Sequence, residues 1–109
     1  MAEQGPPTKS KRRADRALVG DYQRQKLGEL LEHVRGAFAA YDVGQIDAFE
    51  LDEIIHHYKR ATIELWKFCV GVGSGSGVEI AAHAIQSARA EGADRDWWEA
   101  GASRNSKPR

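Results

Sequence analysis

Gly44-Gln45-Ile46-Asp47-Ala48-Phe49-Glu50-Leu51 is the stretch on which the fold turns. Asp47 and Glu50 have capping-box spacing, in which each side chain accepts a hydrogen bond from the other's backbone N–H, although the strict form begins with Ser or Thr. Ile46 and Leu51 occupy the positions of a hydrophobic staple, just before the cap and at the fourth helical residue. Gly44 can supply a positive φ at the turn. Connections as short as Asp42 to Gln45 join antiparallel neighbours. The stretch therefore predicts a helical hairpin whose second helix starts near Ala48.

Upstream, Leu27, Leu30, Leu31, Val34, Phe38 and Tyr41 recur at steps of three and four, the period of one helical face. They predict a first helix over 21–41. Before it, Gly5, Pro6, Pro7, Ser10 and a basic cluster, with almost no large apolar residue, have the composition of a flexible arm, expected over 1–19.

Downstream, a helix over 48–70 carries Leu51, Ile54, Ile55, Tyr58, Thr62, Leu65 and Cys69 on one face. Toward its end Ile63, Trp66 and Val70 add a second stripe. A helix that is apolar on two sides needs two neighbours, so a third helix or another subunit must cover what the first helix does not. The glycines from Gly71 to Gly77 end the helix. Ser76 and Glu79 again have capping-box spacing and open a third helix over 77–91, whose apolar residues Val78, Ala81, Ala82, Ile85 and Ala88 are mostly small. Gly92 stops it. Asp94 to Gly101 predicts one further helical turn capped by Asp94 and bearing Trp97 and Trp98.

No alternating β pattern and no internal repeat is present. The fold class expected is all-α: an antiparallel helical hairpin, a short third helix and a Trp-containing C-terminal turn with flexible termini. A chain of 109 residues suits one domain, placed at 20–101 between the arm and a basic tail over 102–109.

With 41% apolar and 29% charged residues, the chain has the composition of a globular protein. Its formal charge of zero conceals a segregation. Residues 1–19 carry five bases against two acids, or +3, and residues 104–109 carry three bases and no acid, another +3. The intervening body holds eight bases and fourteen acids, or −6. The basic arm suggests a polyanion partner such as nucleic acid, but it has no interleaved aromatics and the acidic body repels phosphate, so non-specific tethering is the most it offers.

Cys69 is the single cysteine, which excludes an intrachain disulfide and fits a reducing, cytoplasmic setting. The apolar region from Leu65 to Val72 is interrupted by Lys67 and falls short of the ~20 residues of a membrane span. No apolar stretch of signal-peptide length follows the basic N-terminus.

The residues that could carry chemistry read mostly as structure. Gly44 to Leu51 matches the second half of an EF-hand loop. Aligning on Gly44, however, puts Ala39, Tyr41 and Val43 where calcium needs oxygen ligands, so the turn is read as a helix cap. Glu53 and His56 have the spacing of carboxylate-bridged di-iron sites, which need the motif twice with all ligands facing inward. Glu53, His56, His57 and Arg60 instead sit opposite the main apolar stripe, as a solvated face, and no metal site is expected. Cys69 reads as a buried thiol, nothing marks an activated serine, and neither a reaction nor a cofactor is assigned.

Two candidate sites remain. Gly73, Ser74, Gly75, Ser76 and Gly77 could present backbone N–H groups and a helix N-terminus to an anion or ligand, although no P-loop follows and a linker is the simpler reading. Ile63, Trp66, Trp97 and Trp98 are the candidate partner-binding residues, because tryptophan is enriched at interface hot spots; one of the adjacent pair is expected in the core, folded over Trp66 and Ile63.

Ile46-Asp47 with Phe49-Glu50, Tyr58, Glu64-Leu65-Trp66 with Phe68-Cys69, the glycine-serine loop and Asp96-Trp97-Trp98-Glu99 together resemble a set of small actinobacterial helical proteins of unknown function. The resemblance covers roughly residues 20–101 and implies a compact helical body with no activity to import. The function expected is a small cytoplasmic protein–protein interaction module, with a homodimer as one form. The alternative is a regulatory module that binds a ligand or nucleic acid through the Gly/Ser loop and basic arm.

Overall fold

The computed structural model describes residues 9–70 and 77–102, and all regular elements among them are helical: α1 (Lys9–Asp42), α2 (Ala48–Val70), α3 (Gly77–Glu91) and α4 (Trp97–Ala100). The first eight residues of the expected arm, the tail from 103, and Gly73 to Ser76 of the expected anion loop lie outside the described residues. Among the described residues no helix is long and apolar enough to cross a membrane.

The turn that defines the hairpin is closed on both sides. Gly44 takes φ +79°, and Gln45 N–H donates to Ala40 O at 2.8 Å while Gly44 N–H donates to Tyr41 O at 3.1 Å. This is a Schellman ending, which uses the left-handed glycine to satisfy the last carbonyls of α1. On the other side Asp47 N–H donates to Glu50 Oε1 at 2.9 Å, and Glu50 N–H donates to Asp47 Oδ1 at 2.8 Å. The reciprocal capping box is thus formed with Asp in the place of Ser or Thr.

Helix α1 starts twelve residues before the expected Asp21, so 9–19 is helix where an arm was expected. Its buried positions are Asp15, Val19, Tyr22, Lys26, Leu30 and Ala37, spaced by three, four and seven throughout. The helical period therefore runs unbroken through the basic segment. It was hidden because charged residues occupy two of those positions, and a hydropathy pattern cannot register a buried Asp or Lys. Of the stripe read from the sequence only Leu30 is fully buried; Leu27 and Val34 are half-buried, and Leu31, Phe38 and Tyr41 are exposed.

The core is built from Leu30 of α1, Ala61, Leu65 and Cys69 of α2, Ala81, Ala82 and Ile85 of α3, and Trp97 of α4. Burial of each large aliphatic side chain contributes roughly 1.5–3 kcal/mol. The small Ala81 and Ala82 let α3 lie close on the hairpin.

The last helix is capped by Asp96 rather than Asp94. The Asp96 carboxylate accepts from Trp98 N–H at 3.0 Å and Glu99 N–H at 3.4 Å, serving two of the orphan donors that a helix start leaves. Asp94 is diverted to Lys26, whose Nζ donates to Asp94 Oδ2 at 2.7 Å.

Candidate functional site

Helices α3 and α4 cover one side of the hairpin, and the other side has no neighbour among the described residues. Helical spacing separates the two sides. Leu31 follows Tyr22, and Trp66 follows His57, by nine residues or about two and a half turns, which turns each later side chain away from the earlier one.

On the covered side, Trp97 is buried, its ring 5.2 Å from Phe68 and its indole N–H donating to the Tyr22 hydroxyl at 2.8 Å. That bond satisfies the one polar atom of the indole in the core. Trp98 lies flat between His33 of α1 and His57 of α2, with ring centroids 4.1 and 3.9 Å apart and planes within 7° of parallel. His57 Nε2 also lies 2.7 Å from Trp98 O, a bond to a carbonyl that requires the proton on Nε2. Arg60 Nε donates to Gly101 O at 2.9 Å. Two side chains of α2 thus bond carbonyls at the C-terminal end of α4, where Trp98 O also accepts from Gly101 N–H at 3.1 Å.

Gly101 allows this docking. A Cβ there would lie 2.5 Å from the Ala61 backbone nitrogen and 2.7 Å from the Ala61 Cβ, well inside contact distance. The face expected to be solvated is therefore partly roofed: His57 is half-buried and Arg60 is engaged, while His56 pairs with Asp52 at 3.3 Å and Glu53 is exposed. Among the described residues no three His, Cys, Asp or Glu side chains gather in a metal-binding group.

Next to α4 the covered side carries a half-open cavity of about 320 Å³ between α1, α2, α3 and the segment joining α3 to α4. Lys26 borders it, with its side chain 4% exposed and its ammonium paired to Asp94 at 2.7 Å and Glu29 at 3.4 Å. Burial works to lower the Lys26 pKa, but the hydrogen bond to Asp94 and the carboxylate charges of Glu29 and Asp94 outweigh it, so the net shift is upward from 10.5. Burial alone pushes the Cys69 thiol up to about 11, which keeps it protonated and unreactive near neutrality.

The bare side carries a group of exposed apolar residues. Leu27, Thr62, Ile63, Leu65 and Trp66 line a shallow groove between α1 and α2. Ile63 is 52% and Trp66 56% exposed. Leu31 lies one turn after Leu27 and Phe38 two turns further, continuing the same stripe, and they are 44% and 46% exposed. The flanking charges are already paired locally, Asp21 with Arg24, Glu32 with Arg35, Asp52 with His56 and Glu64 with Lys67.

Of the four candidate partner-binding residues, the structure brings Ile63 and Trp66 together on this face and takes Trp97 and Trp98 to the other side. Trp97 does not cover Trp66. Leu31 and Phe38 were missed as surface residues because the sequence assigns them to the same stripe as Leu30; their angular offset from Leu30 on α1 is the signal that separates them. Gly77, the last residue of the expected anion loop, is buried as the first residue of α3. No family model, no curated protein and no solved structure matches the chain.

Proposed function

We propose that the chain is a helical interaction module that pairs with a second copy of itself through the bare side of the hairpin. The observation that carries this reading is the stripe of Leu27, Leu31, Phe38, Ile63 and Trp66, 44–56% exposed at its last four residues on a chain with a small core. Contiguous apolar surface of this kind marks interaction sites in soluble proteins. Two hairpins laid face to face would make a four-helix arrangement, the common solution for helices with one apolar side in excess. A second copy also suits the electrostatics. Charges near the stripe are paired within the chain, Asp21 with Arg24, Glu32 with Arg35 and Glu64 with Lys67, so a second copy does not meet them as unpaired charges of its own sign.

The reading assigns the chain no reaction and no cofactor. A cytoplasmic setting accords with its lone, buried and unreactive thiol.

Light scattering during size-exclusion chromatography tests the pairing. The expected mass is about twice the 12.1 kDa of one chain, falling toward one chain on dilution, and Trp66→Lys or Leu31→Glu should give a folded monomer at all concentrations. A wild-type chain that stays monomeric at high concentration, or variants that leave the dimer intact, would remove the proposal.

A further inference from the structure

The cavity on the covered side has a use that the pairing of hairpins does not explain. Its wall on α3 is formed by Ala84, Ile85, Ala88 and Arg89, and the rings of Tyr22, Phe68 and Trp97 line it as well, so the small Ala84 and Ala88 side chains leave space beside large ones. Its volume of about 320 Å³ falls at the lower end of the range for small-molecule sites, which are mostly apolar with a few fixed polar groups.

The polar groups at its edge are predominantly cationic: Lys26, Arg89 and Arg95 against the single carboxylate of Asp94. They also have donors to spare. The Lys26 ammonium has three N–H groups, of which Asp94 and Glu29 take two. The Tyr22 hydroxyl accepts from Trp97, and its own proton has no acceptor among the described residues. The Arg95 guanidinium lies over the Trp97 ring at 4.3 Å, which holds it in place while leaving its N–H edge unspent. Arg89 makes no side-chain hydrogen bond or ion pair among the described residues.

We infer that this cavity binds a small organic anion, a carboxylate on an apolar body, with the body against Tyr22, Phe68 and Trp97 and the carboxylate at Lys26, Arg95 and Arg89. Charge and shape argue for the same occupant. An uncharged apolar molecule would leave the Arg89 and Arg95 guanidinium groups without an acceptor, and a bare anion such as acetate would leave the aromatic floor uncovered. The carboxylate supplies acceptors to the donors that Asp94 and Glu29 do not take, and planar guanidinium groups match it in a two-point geometry. The inference is independent of the hairpin pairing, because the cavity lies on the other side of α1 and α2 from Trp66.

Three probes separate the terms: 3-phenylpropionate, its uncharged amide, and acetate, each titrated into the full-length protein and followed by backbone and indole N–H chemical shifts. Phenylpropionate should produce saturable shifts at Tyr22, Ile85 and the Trp97 indole with a dissociation constant of about 1 mM or tighter, and the amide and acetate should each bind at least ~10-fold more weakly. Ala88→Phe should abolish the response by filling the cavity. Arg89→Gln, a change at an exposed residue, should weaken binding several-fold and so keeps the test valid if the larger substitution perturbs the fold. Four outcomes would overturn the inference: no saturable shifts, equal binding of amide and carboxylate, unchanged binding in Arg89→Gln, or shifts clustered at Leu27 and Trp66.

Discussion

The covered side of the hairpin carries His33, His57 and Arg60, whereas the bare side carries Leu31, Phe38, Ile63 and Trp66. Hydropathy alone would assign the roles the other way round. The difference teaches that α4 is docked mainly by stacking, by two hydrogen bonds to its terminal carbonyls and by the burial of one indole. Polar residues with flat rings or fork-shaped donors suit that task better than aliphatic ones. The bare side offers apolar area without a neighbouring helix among the described residues.

Breaking the covered side should cost far more than altering the bare one. The largest loss is expected from Trp97→Ala, which removes the indole from the core and leaves the Tyr22 hydroxyl without its donor. Urea unfolding should show a decrease of about 3–5 kcal/mol. A change below about 1 kcal/mol would mean that α4 contributes little to the fold.

Gly101→Ala follows, because the new methyl would meet the Ala61 backbone at 2.5 Å and push α4 off α2. Overpacking of this kind costs roughly 1–3 kcal/mol, read as a lower thermal midpoint together with Trp98 fluorescence shifting toward that of an exposed indole.

Alkaline pH should weaken the core through Cys69. Its pKa is raised from 9.0 to about 11 by burial, so between these values the folded state keeps a proton that the unfolded state releases. Stability is then full below about pH 9 and is lost as pH climbs through about 11, by on the order of 2 kcal/mol. Lys26, also raised, adds to the fall in the same direction above pH 10.5. Denaturation at stepped pH should show Cys69→Ala flattening the first part of the decline and leaving the later part.

His57→Ala removes one face of the Trp98 stack and the bond to Trp98 O. The expected cost is about 1–2 kcal/mol, with hydrogen exchange of the 97–101 amides accelerating before that of the core. Uniform acceleration across the chain would show instead that α4 does not open by itself.

The smallest effect belongs to the bare side. Leu31→Ala, measured at a dilution that keeps the wild type monomeric, should change stability by no more than about 0.5 kcal/mol, while weakening self-association at higher concentration. A loss of several kcal/mol at that dilution would make the stripe part of the monomer core.

Much of the fold was legible in the residues because much of it is local. The Asp47–Glu50 box at the start of α2, the Gly44 ending of α1 and the Gly92 ending of α3 each depend on atoms within about five residues of one another. The start of α1 was not legible. Its first turns are held by a period that includes Asp15 and Lys26, and the shorter of the two carboxylate contacts that hold Lys26 in the interior comes from Asp94, 68 residues away. The cap of α4 was misplaced by two residues for the same reason: Asp94 and Asp96 are equivalent as local capping residues, and the Lys26 contact distinguishes them. For the candidate site, Ile63 and Trp66 were legible as a second apolar stripe on one helix, but Leu31 and Phe38 were not, since a periodic list cannot tell which flank of a broad stripe a neighbour covers.

The sequence by itself determined an all-α chain, its hairpin turn and the excess of apolar surface on α2, because propensity, capping and turn chemistry act over a few residues. Tertiary structure decided which side of the hairpin is covered. It sent Trp97 into the core and Trp98 between two histidines, and it brought Lys26, Tyr22 and Trp97 to one cavity, because those outcomes rest on contacts between residues up to 75 positions apart.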